Sequence, residues 1–172
     1  MCSVVGYIGK NYSRAFVMEG LSRLEYRGYD SAGFACLAPE SHRLLYAKAE
    51  GRLSNLAEKF EHTPIDGHLG IGHTRWSTHG AASEKNAHPH FDCQKTISVV
   101  HNGIIENYDA LRKELITRGY NFKSDTDTEV LINLIEDVKL KEDVKLGKAV
   151  QIALNQVIGA YSIAVFDKAR KL

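Results

Sequence analysis

Cysteine is scarce in this sequence, which has 172 residues and contains only Cys2, Cys36 and Cys93. Three is an odd number, and the positions are too scattered to build a disulfide framework. The composition therefore excludes a disulfide-stabilised secreted scaffold, and we expect a reducing, cytoplasmic setting.

An excess of charge of either sign is also missing. The 22 basic and 21 acidic side chains leave a formal net charge of +1. Such a balance argues against nucleic acid or an anionic membrane as a partner, and a small molecule is expected instead. No apolar run approaches the roughly 18–20 residues of a membrane helix. The N-terminus has no basic start, and Gly6 and Gly9 break its apolar stretch, so no secretory signal is predicted.

The pattern of apolar residues predicts one domain with both strands and helices. Strand-like runs lie at 3–9, 31–38, 42–49, 68–74, 96–101 and 160–167, and helical spacing at 17–24, 52–61, 108–115, 127–138 and 146–157. Leu69 and Ile71 alternate with glycine, which is typical of a half-buried strand. Thr126 and Glu129 have capping-box spacing at a helix start. Because strands come in runs and helices are grouped, we predict an α+β fold with mainly antiparallel sheet.

Cys2 is the first candidate for chemistry. Removal of Met1 would leave this residue with a free α-amino group, which titrates close to neutral pH. Thiol and base would then belong to one residue, as in enzymes with an N-terminal nucleophile. The alternative is a small apolar residue that fills the end of the first strand. Position alone favours that alternative.

Asn102 and Gly103 are the second candidate. A thiolate that attacks an amide creates an oxyanion, and an asparagine NH2 with a neighbouring glycine N–H would supply two donors. The competing interpretation is a hairpin turn, for which Asn-Gly between apolar runs is the strongest short signal. The local sequence favours the turn.

A polar stretch from Arg75 to Asp92 shows no periodicity, and loops of that length are usually functional. Arg75 would grip a substrate carboxylate, and Trp76 would cover a pocket. Further polar contacts would come from Thr78, His79 and His88. The structural alternatives are a surface ion pair for Arg75 and a core position for Trp76.

Four potential metal ligands lie close in the sequence, namely His88, His90, Cys93 and His101. Their spacing matches no standard zinc pattern, so no metal is expected. Asp127 opens a helix, where a carboxylate complements the helix dipole. As a functional residue, Asp127 would bind the ammonium group of an amino acid. The local sequence leaves these two roles open.

Six segments in order resemble the glutaminase domain of glutamine–fructose-6-phosphate aminotransferases, which are class II glutamine amidotransferases. They are CSVVGYIG, LEYRGYDSAG (24–33), GIGHTRWSTHG (70–80), NAHPH, VVHNGIIENY (99–108) and SDTDTEV (124–130). The resemblance implies an N-terminal-nucleophile hydrolase fold, a four-layer αββα sandwich of two antiparallel sheets. It also implies that glutamine is the substrate and that the reaction needs neither a metal nor an organic cofactor.

The resemblance assigns a role to each candidate. Cys2 would be the nucleophile and its amine the base, while Asn102 and Gly103 would form the oxyanion hole. Arg75 and Asp127 would hold the two charged ends of glutamine, and the pocket or its closing loop would include Trp76, Thr78, His79 and His88. Other class II amidotransferases share the cysteine and the Asn-Gly pair, so a different member or an inactive glutamine-binding fragment is the alternative.

Two departures from the family pattern follow from the same resemblance. Ser3 stands where the family has glycine, so its side chain would crowd the backbone beside Cys2. The family's domain continues beyond Leu172 and is followed by sugar-isomerase lobes that bind fructose-6-phosphate. We therefore expect a domain over 1–172 that is truncated at its C-terminal end. In the full-length enzyme the resemblance implies a homo-oligomer.

Overall fold

The computed structural model describes residues 1–77 and 80–169. Within these residues the chain forms seven strands and five α-helices, and every strand and helix predicted from the sequence is present. In chain order they are β1 (Ser3–Ile8), α1 (Ser13–Leu24), β2 (Ser31–Leu37), β3 (Leu44–Glu50), α2 (Leu53–His62), β4 (Leu69–Arg75), β5 (His90–Phe91), β6 (Ile97–Ile105), α3 (Tyr108–Thr117), α4 (Asp127–Lys141), α5 (Leu146–Leu154) and β7 (Gly159–Asp167).

The strands form two antiparallel sheets. The first has the order β1-β4-β2-β3 and the second the order β5-β6-β7. The two sheets pack face to face through apolar side chains that include Ile71, Val100 and Phe166. Among the described residues, this contact is the central one of three hydrophobic cores.

Helices cover the outer face of each sheet. Val17 and Leu21 of α1 and Leu56 of α2 pack against the first sheet. The helices α3, α4 and α5 pack against the second sheet, with Leu131 and Ile135 of α4 fully buried. The layers therefore run helix, sheet, sheet, helix, and the predicted αββα architecture is confirmed. No helix in the described ranges 1–77 and 80–169 is long and apolar enough to cross a bilayer.

The prediction of a half-buried β4 was wrong, because all seven of its residues are buried. One face meets the second sheet and the other meets α1. A Cβ on Gly72 would lie 2.4 Å from Val17 Cγ1 and 2.9 Å from Leu21 Cδ1. The glycines that alternate with Leu69 and Ile71, Gly70 and Gly72, therefore mark a tightly covered face rather than a solvated one.

Asn102 and Gly103 do not form the hairpin turn that the local sequence favoured. The strand β6 continues through them to Ile105, with Asn102 opposite Ser162 and Gly103 opposite Tyr161. The strand pairs with β7, which arrives from far along the chain, so no adjacent run folds back here. Gly103 has φ of +129°, and a Cβ on it would lie 2.0 Å from the Ala160 carbonyl oxygen. The close approach of β6 to β7 at position 103, and not a turn, therefore requires glycine here.

The start of α4 is capped, although only half of the expected capping box forms. Thr126 Oγ1 accepts a hydrogen bond from Glu129 N at 3.3 Å. The Glu129 carboxylate does not return to the Thr126 backbone; it accepts from Lys123 N at 2.9 Å and from Ser124 N at 2.6 Å. These bonds fix the chain that leads into α4 and place Asp127 in its first turn.

Candidate active site

One cavity of about 580 Å³ collects most of the residues singled out in the sequence. It opens where β1 begins, β4 ends and β6 runs beside β7. The predicted residues that line it are Cys2, Arg75, Trp76, His88, Asn102, Gly103 and Asp127. The predicted positions Thr78 and His79 lie outside the described residues.

Cys2 lies at the cavity, just ahead of β1, and is partly exposed. Its sulfur accepts a hydrogen bond from Trp76 N at 3.1 Å and lies 3.3 Å from the Trp76 carbonyl oxygen, to which the thiol donates. The interpretation of Cys2 as a buried core residue is therefore wrong. Cys36 is the contrasting case, because burial and the nearby Asp66 raise the pKa of its thiol to about 12.

Met1 lines the cavity next to Cys2. It is 71% exposed, and its amino group donates to the Arg27 carbonyl oxygen at 2.5 Å. While Met1 is attached, the Cys2 nitrogen is an amide and has no basic lone pair. Removal of Met1 would place an α-amine beside the thiol at the same cavity.

Asn102 lies against the backbone of Cys2. Its side-chain Nδ2 donates to the Cys2 carbonyl oxygen at 2.9 Å. The opposite end of the amide, Oδ1, accepts from His73 Nε2 at 2.8 Å. The amide is therefore held from both ends, with its NH2 group on the side of Cys2.

Arg75 is buried, with 3% of its surface exposed, so a surface ion pair is the wrong description. Its guanidinium donates to the carbonyl oxygens of Gly80 and Ala81 at 3.0 and 3.2 Å. Asp30 Oδ1 lies 3.7 Å from Nη1. These contacts hold the guanidinium of Arg75 in the cavity wall. They also connect Gly80 and Ala81, in the segment after β4, to the side chain of Arg75.

Asp127 supplies the negative charge of the cavity wall. It is the first residue of α4 and is buried, and its Oδ2 accepts from Ile105 N at 2.9 Å. The carboxylate therefore braces the end of β6 and faces the same cavity as the guanidinium of Arg75. A cavity wall with the guanidinium groups of Arg27 and Arg75 and the carboxylate of Asp127 matches the two charges of a zwitterionic amino acid.

Trp76 and His88 lie at different depths in the cavity. Trp76 is 55% exposed, so the alternative of a core tryptophan is wrong. Its ring lies over Gly28, where an added Cβ would be 2.3 Å from Trp76 Cε3. His88 is buried beneath the cavity, and its Nδ1 accepts from His101 N at 3.3 Å. Trp76 thus borders the cavity entrance, while His88 forms part of its base.

The histidines under the cavity are kept neutral. Burial, and then the neighbouring histidines, hold the pKa of His88 well below its usual value. Burial lowers the pKa of His73 to about 4. Among residues 1–77 and 80–169, no three His, Cys, Asp or Glu side chains are grouped so that they could hold a metal ion.

Sequence reasoning gave no glutaminase role to several residues of the cavity and its base. Arg27 and Thr128 line the cavity, as does His101, which was considered only as a metal ligand, and His73 binds Asn102 from below. Each belongs to one of the six motifs, so the motifs carried the only available signal. Neither charge nor spacing distinguishes His73 from the other histidines, because its role depends on contact between β4 and β6.

Comparisons with known proteins agree with this geometry. A family model described as a glutamine amidotransferase domain matches residues 73–172. The structure also resembles a glutamine phosphoribosylpyrophosphate amidotransferase from B. subtilis with a TM-score of 0.82 and 26% identity, covering 96% of this chain and 35% of that one. The predicted fold type is therefore confirmed.

Curated relatives show higher identity. The chain is 51% identical over 168 residues to the glutamine–fructose-6-phosphate aminotransferase (isomerizing) of Bacteroides thetaiotaomicron, covering 98% of this chain and 27% of that protein. It is 54% identical over 165 residues to the enzyme of the same name from Clostridium tetani, covering 96% and 26%. The resemblance inferred from the six motifs is confirmed, and the chain spans about a quarter of the length of these relatives.

Proposed function

The chain belongs to the glutamine amidotransferase domain family, and on that premise we propose that its cavity hydrolyses the side-chain amide of glutamine to glutamate and ammonia. Cys2 is the nucleophile, and Asn102 and Gly103 form the oxyanion hole. Arg75 binds the α-carboxylate of glutamine, and Asp127 binds its α-ammonium group. Trp76, Thr78, His79 and His88 complete the pocket or the loop that closes it.

One observation carries the proposal: a partly exposed thiol lies beside an oriented asparagine amide on a wall that bears both a guanidinium and a carboxylate. Arg75 and Asp127 complement the two charges of a free amino acid. The Asn102 amide uses one N–H on the Cys2 carbonyl oxygen, which leaves its second N–H for a substrate oxyanion. This combination favours attack on an amide over simple binding.

The reaction runs through a thioester. The Cys2 thiol gives its proton to the free α-amine and its sulfur attacks the δ-carbon of glutamine, so that the carbonyl oxygen becomes an oxyanion. When this intermediate collapses, the C–N bond breaks and the amine returns the proton to the departing nitrogen, which leaves as ammonia. Water then attacks the thioester with the amine again as base, releasing glutamate and restoring the thiol.

This mechanism requires removal of Met1. With Met1 in place, the terminal amine donates to the Arg27 carbonyl and lies one residue away from the thiol. With Met1 removed, thiol and amine share one residue and one cavity. All three cysteines are free thiols, which suits a reducing compartment such as the cytoplasm.

We propose further that the ammonia serves sugar-phosphate amination. Relatives about half identical to this chain are named for transfer from glutamine to fructose-6-phosphate, and the chain matches about a quarter of their length. Residues 1–172 would then act as the glutaminase domain, with sugar-isomerase lobes and a homo-oligomeric assembly supplied by a longer protein. Fructose-6-phosphate would be bound by those lobes. Neither metal, organic cofactor, nucleic acid nor membrane takes part.

The test is a glutaminase assay of the 172-residue chain and its Cys2→Ala variant. We expect Cys2→Ala to lower ammonia release by at least ~1,000-fold, because no other group on the cavity replaces the nucleophile. Cys93→Ala is the matched control: it removes an exposed thiol away from the cavity and should leave the rate unchanged. Equal rates in wild type and Cys2→Ala would refute the proposal. Glutamine that raises Tm without ammonia release would instead indicate a binding module.

A further inference from the structure

We propose that His73 is a positioning residue that fixes the Asn102 amide in the one orientation able to serve as an oxyanion donor. The inference rests on the proposed function, because it assigns a task to a residue beneath the predicted oxyanion hole. His73 does not line the cavity. It lies in β4, fully buried, and its Nε2 contacts Asn102 of the neighbouring sheet.

The acceptors around His73 determine its tautomer. Nε2 lies 2.8 Å from Asn102 Oδ1 and 3.1 Å from the His101 carbonyl oxygen. A backbone carbonyl only accepts hydrogen bonds, so Nε2 carries the proton and donates. The ring therefore presents an N–H to Asn102, and the end of the amide that faces it must be the oxygen.

The contact at the opposite end of the Asn102 amide independently indicates the same orientation. Asn102 Nδ2 lies 2.9 Å from the Cys2 carbonyl oxygen, which also only accepts. Rotating the amide by half a turn would set two oxygens against each other at Cys2 and two donors against each other at His73. Both contacts would be lost, so the network permits a single arrangement.

Packing holds the ring in place. The imidazoles of His73 and His88 stack with centroids 4.1 Å apart and planes 12° apart. His73 Nδ1 is buried with no hydrogen-bond partner among the described residues, so a second proton there would have no acceptor. Burial keeps the pKa of His73 at about 4, and the neutral Nε2–H form persists at physiological pH.

Loss of the His73 donor should lower the rate of glutamine hydrolysis rather than the affinity for glutamine. Arg75 and Asp127, which we assign to the two charged ends of glutamine, make no hydrogen bond to His73 among the contacts that hold each of them. Without the His73 donor, the amide of Asn102 would rotate away from its productive orientation part of the time. The oxyanion would then lose a preorganised donor, while the substrate would still bind.

The experiment compares three single variants of the 172-residue chain. His73→Leu removes the donor, and His73→Gln restores an N–H at similar reach. His90→Leu is the matched control, since His90 is equally buried but bonds Thr126 and not Asn102. We expect His73→Leu to lower kcat for glutamine by roughly 10- to 100-fold with KM within about two-fold. His73→Gln should recover most of kcat, and His90→Leu should keep it.

Two further readouts separate positioning from a general structural effect. Alkylation of Cys2 by iodoacetamide forms no oxyanion, so its rate should be the same in wild type and His73→Leu. In the Asn102→Ala background, His73→Leu should cause no further loss of kcat, because nothing remains to be positioned. A slowed alkylation, an additive loss in the double variant, or an unchanged kcat in His73→Leu would overturn the inference.

An NMR measurement tests the inference without any turnover. The side-chain amide signals of Asn102 should be sharp and distinct in wild type and exchange-broadened in His73→Leu. Ring nitrogen shifts of His73 should report the Nε2–H tautomer from pH 5 to 9. The opposite tautomer, or unchanged Asn102 signals in the variant, would contradict the positioning role even if the wild-type chain released no ammonia. Absence of ammonia alone would instead refute the proposed function.

Discussion

The three thiols of this chain show how surroundings assign different chemistry to the same side chain. Cys36 is sealed in the core between α1, α2 and the first sheet, and its raised pKa keeps it protonated. Cys2 is partly exposed on the cavity, beside a backbone N–H donor. Thiolates rather than thiols are nucleophiles, so the environment of Cys36 does not suit reaction, whereas the sulfur of Cys2 is open to a substrate in the cavity.

Gly103→Ala should damage both stability and activity. The new methyl group would meet the Ala160 carbonyl oxygen at 2.0 Å and would also force a side chain into a positive-φ backbone. Gly119→Ala isolates the second effect, because Gly119 has φ of +92° and nothing within 4 Å. We expect about 1–2 kcal/mol of destabilisation for Gly119→Ala and clearly more for Gly103→Ala, measured by urea unfolding. Equal losses would show that strand approach does not require this glycine.

Glu136 should make stability fall as pH rises. Burial, followed by the charge of Asp92, raises the pKa of Glu136 to about 7 from an ordinary 4.5. The native state therefore holds a proton that the unfolded chain has released, and this stabilisation is fully present below pH 4.5 and lost through pH 7. Tm of wild type should drop across this window by more than that of Glu136→Gln. The exposed Glu61→Gln should follow wild type, and parallel curves for all three proteins would disprove the assignment.

The local pattern of apolar residues predicted well which helices and strands exist. It predicted poorly what short polar segments do. Apolar spacing was enough to predict α1 to α5, although α4 buries every residue from Asp127 to Val138 rather than a single stripe. It failed at Asn102-Gly103, where pairing with β7 converts a favoured turn into continuous strand. It also missed β5, since His90 and Phe91 become a strand only by pairing with Val99 and Ser98. Contacts between distant segments decided these positions.

The N-terminal cap of α4 links helix stability to the cavity. Thr126 Oγ1 caps the helix and contacts His90 Nε2 at 3.0 Å, and the next residue is Asp127. Thr126→Ala should cost ~1 kcal/mol of stability and raise KM for glutamine, since the carboxylate of Asp127 loses its fixed place. Thr126→Ser keeps the hydroxyl and should retain both values. An unchanged KM in Thr126→Ala would show that the helix cap does not contribute to glutamine binding.

For the molecule as a whole, the decisive feature is that the cavity wall comes from both sheets. Cys2 and Arg75 belong to the first sheet's end, whereas Asn102 and Gly103 belong to the second. Sequence motifs could name these residues individually. Their convergence depends on how the two sheets stack, which no local pattern records, and the resemblance to a known family was needed to assign their roles.

Weakening the contact between the sheets should therefore affect catalysis more than weakening an outer core. Ile71→Ala creates space between the sheets, and Leu56→Ala creates it under α2. Each should cost about 2–5 kcal/mol of stability. Measured on the folded fraction, kcat should fall several-fold in Ile71→Ala and stay close to wild type in Leu56→Ala. The reverse order would mean that sheet stacking does not set the site geometry.

The central claim is that one residue carries both nucleophile and base, and trapping the acylated enzyme tests it directly. Glutamine is mixed with the chain, the reaction is quenched with acid, and intact-mass and peptide spectra locate the γ-glutamyl group and report whether Met1 is present. The account predicts acylation at Cys2, confined to chains that have lost Met1 and absent from Cys2→Ala. Acylation of chains that keep Met1, or of any other residue, would contradict it.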